Sequence, residues 1–323
     1  MNICSIPKEN KIIVSKDSNA HFHSIQDAIN SIYNDHILTI IYIKNGVYDE
    51  KIFIKKNNIH FISQSLEKTI IQQAISREIW RCNNESDWGG ATINVDSCSN
   101  LTFENITVKN NYGLENTKTI NGYCLLDSNK PKKFTPYAHQ MAFRSFNATK
   151  LKFKKCNFIS AGGDTMSPWN LENGMFYFDN CYFEGMVDLF CPRGNSFAIN
   201  CTFNAIGGSA ILWHDGSNNE SFKTVIYKCN FKGIDSFNLG RYHKESQFYL
   251  INCNFANNMA NKDIYKVLTN NFFNWGRRVY FFNCNKRGQQ FDFYKNNITY
   301  SAKKLKSTIL NPYWVFNQQW HPN

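Results

Sequence analysis

The sequence predicts an all-β chain, a single-stranded right-handed parallel β-helix with a short N-terminal capping helix. Three observations carry this. A cysteine phrase recurs as KCNF (155–158), NCYF (180–183), NCTF (200–203), KCNF (228–231), NCNF (252–255) and NCN (283–285), with 25, 20, 28, 24 and 31 residues between its cysteines. An earlier relative, NLTFENITV (100–108), matches KLKFKKCNF (150–158) in its apolar positions. Between these phrases stand Gly, Asn and Asp punctuation and no helical pattern long enough for a helix-pair repeat or a βαβ crossover. Repeats of this period stack, each unit burying its inner face on the unit below.

Cys and Phe lie two apart in each phrase, so the spacing places both on one face of a strand, with Asn, Lys, Tyr or Thr on the other. The cysteines then form an inward ladder of small buried thiols rather than a disulfide framework. The count of 11 is odd and no CxxC pair occurs, which also argues against zinc.

One helix stands out at HSIQDAINSIYN (23–34). Ile25, Ala28, Ile29 and Ile32 share a face, and Ser24 with Asp27 three residues on has the form of a capping box. An open stack exposes unpaired strand edges and apolar side chains, so the helix is expected to cover the first coil. After it, LTIIYIKNGVYDEKIFI (38–54) reads as strand, Asn-Gly turn, strand. From about residue 286 the repeat is lost, and the tail is expected to fold back along the outside. No linker interrupts the pattern, so residues 1–323 read as one domain, with 1–36 as the cap and about 286–323 as the tail.

The formal net charge of +11, from 36 Lys and Arg against 25 Asp and Glu, favours a polyanionic partner. The basic residues are scattered rather than gathered into an arm or motif, which points away from nucleic acid and leaves an acidic polysaccharide. No apolar stretch approaches the length of a membrane span; the longest, around Ile37 to Ile43, is strand-sized. The opening residues, MNICSIPKEN, contain no apolar signal core.

Asp188 stands between Met186-Val187 and Leu189-Phe190, a costly place for a carboxylate without a partner. Asp164 lies 24 residues earlier, in the Gly-rich bend of SAGGDTMSPWN, about one coil away. Rungs of a β stack are about 4.8 Å apart, so the two carboxylates can sit side by side on one sheet. Two such groups do not ionise together easily: one pKa is driven up, giving a proton donor beside a nucleophile. Arg241, in NLGRYHK about two coils on, can hold a carboxylate bidentately. The same residues also read as a turn aspartate and a surface cation.

These motifs resemble those of the pectin methylesterases, and the resemblance covers most of the chain. VSKDSNAHFHSIQDAI (14–29) and IYIKNGVYDEKIFI (41–54) are similar to the opening of that family. HQMAFR (139–144), GDTM (163–166), VDLFCPRG (187–194) and LGRYHK (239–244) follow its four later motifs in order. The resemblance implies a right-handed parallel β-helix, with Asp188 as nucleophile, Asp164 as general acid then base, Arg241 as orienting cation and Gln140 as oxyanion donor. It implies methyl-ester hydrolysis on galacturonate, no metal or cofactor, a pectic polysaccharide as partner, a monomer, and a secreted or periplasmic enzyme.

Gly163 stands where the family has a Gln before Asp164, removing one oxyanion donor. Around the expected cleft, Trp169, Trp213, His214, Tyr242 and His243 are candidates to stack on or bond to sugar, and Arg193 to hold a neighbouring carboxylate. Arg277 and Arg278 are further candidates for that task. His214-Asp215 lacks the nucleophile-elbow sequence of a serine triad. Residues 110–136 form a long polar insertion before Gln140, readable as a cleft wall or a loop. The alternatives are another β-helix enzyme, a lyase or polygalacturonase, and a non-catalytic polysaccharide-binding relative.

Overall fold

The computed structural model describes residues 10–214, 217 and 219–322, with the backbone but not the side chains at 127–130 and 214. The chain winds as a right-handed parallel β-helix with three faces. One face is a ten-stranded sheet running from Asn10–Val14 to Val279–Phe282, and a second is nine-stranded, from Gly46–Asp49 to Asn285–Lys286. The third is split into a four-stranded sheet ending at Met166–Trp169 and a three-stranded sheet beginning at Ala210–His214. Across the split, residues 187–193 make only single parallel bridges, Gly163 with Val187, Met166 with Phe190, Trp169 with Arg193 and Phe190 with Leu212.

Because consecutive coils repeat, identical side chains stack. Phe61, Phe103, Phe153 and Phe178 form one column, with ring centroids 4.9, 5.3 and 5.0 Å apart and near-parallel planes. Phe158, Phe183, Phe203 and Phe231 form another at 5.8, 5.2 and 4.9 Å. Phe190, from the split face, wedges edge-on between the columns, 5.0 Å from both Phe178 and Phe183 and 5.1 Å from Phe203. It is 1% exposed. Edge-to-face aromatic contact fixes orientation as well as burying area, so the segment bearing Asp188 is pinned from inside.

The cysteine phrase proves to be a corner, not a strand. Cys156 lies between the strands Thr149–Lys154 and Asn157–Ser160, which belong to different faces, so Phe158 is in a strand and Cys156 is not. The residue before each cysteine has positive φ: Lys155 49°, Asn180 53°, Asn200 55°, Lys228 53°, Asn252 52° and Asn283 49°. A left-handed residue turns the chain sharply while its N–H still bonds to the next coil, as Asn180 does to the Ile199 carbonyl at 3.0 Å. Asn tolerates this conformation better than most side chains, which accounts for the recurring Asn-Cys. The thiols do point inward, and Cys181, Cys201, Cys229, Cys253 and Cys284 each donate to a carbonyl of the preceding coil. Burial pushes the Cys156, Cys181, Cys201 and Cys253 thiols well above their ordinary range, which keeps them unreactive.

At the N-terminal end the helix is Ile25–Asn30, with Ile25, Ala28, Ile29 and Ile32 all buried. Ser24 caps it by accepting from the Asp27 N–H at 3.2 Å. The reciprocal carboxylate expected from Asp27 comes instead from Glu50, on the next coil, which accepts from the N–H groups of Ile25 and Gln26 at 3.1 and 3.0 Å. Residues 38–54 give three strands, Thr39–Ile43, Gly46–Asp49 and Ile52–Ile54, one for each face. Beyond the last coil, Leu305, Ile309, Val315 and Phe316 pack on Met175, Tyr177, Phe197 and Val225 of the ten-stranded sheet. Lys223 anchors this segment, its Nζ 3.3 Å from the Val315 carbonyl and 3.1 Å from Asn317 Oδ1.

The insertion before Gln140 folds as an antiparallel hairpin, Ile120–Cys124 with Asp127–Phe134. A disulfide from Cys124 to Cys82 ties it to the helix Arg77–Asn83. This bridge runs against the expectation of a chain without disulfides. Its cysteines lie outside the repeat and 42 residues apart, so spacing gave no sign of it.

Candidate active site

A cleft of about 800 Å³ lies over the split face, lined by Asp164, Asp188, Arg241, Arg144, Arg193, His139, Trp169 and Trp213, with Arg77, Arg81, Asp87 and Trp88 on one wall. At its floor, Gln140, Asp164 and Asp188 occupy equivalent positions in successive coils. The Gln140 N–H bonds to the Gly163 carbonyl at 3.0 Å, and the Asp164 N–H to the Val187 carbonyl at 3.1 Å. Asp164 and Asp188 have φ of 58° and 50°, whereas Gln140 is not among the positive-φ residues. The left-handed backbone aims both carboxylates into the cleft.

Gln140 goes the other way. It is fully buried, accepts from the Gly113 N–H at 2.8 Å and donates to the Pro136 carbonyl, so its amide is occupied in holding the hairpin insertion. The structure therefore does not bring Gln140 to the site as an oxyanion donor. His139, one residue earlier, faces the cleft in its place.

Asp188 is 6% exposed and forked by Arg241, with Nε 3.0 Å from Oδ1 and Nη2 2.5 Å from Oδ2. Its pKa is pushed up to about 6, first by burial; the Arg241 hydrogen bond and charge pull it back, and the neighbouring Asp164 adds a smaller upward push. The upward shift thus falls on the residue expected to be the nucleophile. Asp188 holds Arg241 more firmly protonated in return. This cation-carboxylate pair answers what justifies a charge in so apolar a run. Asp164 has the guanidinium groups of Arg144 and Arg193 beside it, each 3.8 Å from Oδ2. Cys191 links the two aspartates, donating to the Asp188 carbonyl and lying 3.6 Å from Asp164 Oδ1.

Behind them runs a charged wall that sequence reasoning missed. Asp87 accepts from Arg77 Nε at 2.8 Å, Arg144 Nη2 at 3.1 Å and Arg81 Nη1 at 3.4 Å. Burial pushes the Asp87 pKa up, but the Arg77 hydrogen bond and the three positive charges outweigh it and hold the carboxylate below its ordinary range. Ser167 Oγ accepts from both Arg144 Nη1 at 3.0 Å and Arg193 Nη1 at 2.7 Å. Arginine pairs four residues apart at 77 and 81 are the one signal the sequence carried, since both fall on one helix face.

The aromatic candidates divide. Trp169 carries the Arg193 guanidinium 4.8 Å above its ring, and Trp213 carries that of Arg241 at the same distance. His243 stacks behind Trp213 at 4.6 Å and 13°. Tyr242 turns inward, 6% exposed, against Phe273 in the core, because it alternates with Arg241 along the strand Asn238–Tyr242. It is a core residue and not a cleft residue. The His214 side chain and Asp215 lie outside the described residues. Arg277 pairs with Asp263, and Arg278 donates to the Glu220 carbonyl at 2.7 Å, both away from the cleft.

The pectinesterase family model matches residues 11–210, which take in the capping helix, all the coils up to the split and both aspartates. The chain belongs to the pectinesterase family. It is similar to probable pectinesterase 67 of Arabidopsis thaliana, 24% identical over 73% of this chain and 63% of that one. It is also similar to pectinesterase 4 of the same plant, 28% identical over 69% of this chain. The match spans 63% and 32% of those relatives' own lengths. Among solved structures, a pectin methylesterase in complex with a hexasaccharide superposes with a TM-score of 0.73 at 19% identity, covering 97% of this chain and 98% of that one. The pectin methylesterase PemA of Erwinia chrysanthemi gives 0.71 at 19% identity over the same shares. Within this family frame, His139, Arg144 and Arg193 line the cleft around Asp164, with Gly163 as its chain neighbour.

Proposed function

We propose that this protein hydrolyses methyl esters of galacturonate, or a related uronate, in a pectic polysaccharide, through an acyl-enzyme on Asp188. The observation that carries the reading is the Asp188–Arg241 fork, one coil from Asp164 on the floor of a cationic cleft. The fork leaves the carboxylate oriented and exposes one edge to the cleft, which suits an attacking group. Asp188 adds to the ester C6. As the tetrahedral intermediate collapses, methoxide leaves with a proton from Asp164. Water, giving its proton to Asp164, then hydrolyses the anhydride and frees Asp188.

Arg193, Arg144 and the Arg77–Arg81 wall suit the regularly spaced negative charge of a uronate polymer, and Trp169 and Trp213 offer faces for sugar rings. Membership of the pectinesterase family and the likeness to a pectin methylesterase bound to a hexasaccharide support the substrate class. The chemistry on these side chains needs no cofactor. The test is methanol release from highly esterified pectin by the parent and by Asp188→Asn. Release by the parent alone supports the reading. Polymer cleavage with unsaturated ends identifies a lyase, cleavage with new reducing ends a polygalacturonase, and binding without turnover a non-catalytic relative.

A further inference from the structure

The floor of the cleft lacks both side-chain amides expected to receive the negative charge of an ester intermediate. Position 163 is glycine, and Gln140 is bound to Gly113 and Pro136. One polar side chain stands beside the gap. His139 pairs with Gly163 as a parallel bridge, and Gly163 pairs in the same way with Val187, which places His139 directly above the residue preceding Asp164. A Cβ built on Gly163 comes 3.7 Å from His139 Cδ2, the ring carbon bonded to Nε2. The Nε2 edge of the imidazole therefore overhangs the space that a side chain at 163 fills.

The other edge is fixed. His139 Nδ1 lies 2.7 Å from Glu78 Oε1, on the helix Arg77–Asn83, and the His139 carbonyl accepts from the Arg77 N–H at 2.9 Å. Ser76 Oγ donates to the second Glu78 oxygen at 3.0 Å. Burial pushes the Glu78 pKa up, but the His139 bond and the Ser76 bond bring it below its ordinary value, so Glu78 is a carboxylate and Nδ1 carries the proton. A neutral ring of this tautomer presents an acceptor at Nε2; only the imidazolium presents a donor there. The groups facing the ring are Glu78 and Arg77 on the helix and Asp164 on the next coil. The Glu78 hydrogen bond raises the His139 pKa, burial lowers it, Asp164 and the Glu78 charge raise it, and Arg77 lowers it, with a net rise.

We propose that the His139 imidazolium, oriented by Glu78, donates through Nε2 to the developing oxyanion, taking the place of the amides lost at 163 and 140. This rests on the esterase reading above. As Asp188 forms its bond to C6, the carbonyl π pair moves to oxygen and receives the Nε2–H hydrogen bond. When the pair returns and methoxide departs, the ring keeps both its protons, so His139 stabilises charge without exchanging a proton.

The experiment is the pH profile of methanol release from methyl-esterified polygalacturonate by the parent, His139→Ala, His139→Gln and Glu78→Gln, each checked for folding by its thermal midpoint. The parent profile has an alkaline limb as the imidazolium deprotonates. His139→Ala lowers kcat by about a hundredfold, the usual cost of one oxyanion donor, with little change in KM. His139→Gln, whose amide needs no protonation, recovers much of that rate and loses the alkaline limb. Glu78→Gln keeps the limb but moves it to lower pH. A His139→Ala variant with kcat within about threefold of the parent overturns the assignment; so does an alkaline limb that persists in His139→Gln. A folded parent that releases no methanol at any pH overturns the esterase reading, and this assignment with it.

Discussion

Asp188 and Arg241 lie 53 residues apart in the chain and meet as a two-pronged fork, Nε on Oδ1 and Nη2 on Oδ2. Neither prong is a surface ion pair: Asp188 is buried, and the Arg241 guanidinium is sandwiched between it and the Trp213 ring. Planarity matters here, because a lysine presents a point charge and not two parallel donors. Arg241→Lys should lose about 1.5–3 kcal/mol of transition-state stabilisation, about ten- to a hundredfold in kcat/KM. Steady-state methanol release measures this. An unchanged kcat/KM removes the fork from the mechanism.

The raised pKa of Asp188 sets a pH dependence. Attack requires the carboxylate, so kcat/KM should rise with pH through about 6, up to the plateau that the alkaline limb of His139 ends at higher pH. The acid limb should move to lower pH in Trp213→Ala, which admits water to the pair and weakens the burial that raises the value. A limb near the ordinary carboxylate range in the parent contradicts the buried geometry.

The same shift affects folding. A carboxyl with folded pKa above its unfolded value of 3.8 binds its proton more tightly in the folded state. Its stabilising contribution is complete below pH 3.8 and is lost as pH rises through about 6. At about 1.36 kcal/mol per unit, the loss is on the order of 2–3 kcal/mol. Thermal midpoints of the parent and Asp188→Asn, taken from pH 3.5 to 7.5, should diverge across this window in favour of the variant.

Stacked rings carry the core. Phe183 touches Phe158, Phe178, Phe190 and Phe203, so Phe183→Ala should cost about 3–5 kcal/mol in denaturant unfolding and loosen the segment that bears Asp188. Phe272, 83% exposed, is the control: its alanine variant should change stability by less than about 0.5 kcal/mol.

The Cys82–Cys124 bridge holds the hairpin insertion to the helix that carries Arg77, Glu78 and Arg81. Replacing both cysteines by serine should lower stability by about 2–4 kcal/mol. It should raise KM by about three- to tenfold, the loss of about 1 kcal/mol of order at the wall, while leaving most of kcat. Equal KM values with and without reductant place the substrate elsewhere.

Much of the fold could be read from the cysteine phrase because a stacked coil repeats its inward side chains at a regular period. The meeting of Asp164, Asp188 and Arg241 could be read for the same reason, as coil spacing converts into height along the stack. The sign of φ could not. At Lys155 and Asn180 it turns an expected strand into a corner, and at Asp164 and Asp188, but not Gln140, it decides which side chain faces the cleft. Tyr242 was lost to the alternation of its own strand. The wall of Arg77, Glu78, Arg81 and Asp87 lies in an insertion with no period to read, and it reaches the site through contacts made by folding alone.

The split in the third face has a wider consequence. Two uninterrupted sheets set the height of every coil, so the remaining side of the solenoid is relieved of keeping register. Residues 187–193 can abandon regular pairing there while their neighbours stay in place. Loops grafted onto this side can be lengthened, shortened or recharged without shifting the paired aspartates. The architecture thereby separates the alignment of the reacting groups from the tailoring of what they are offered.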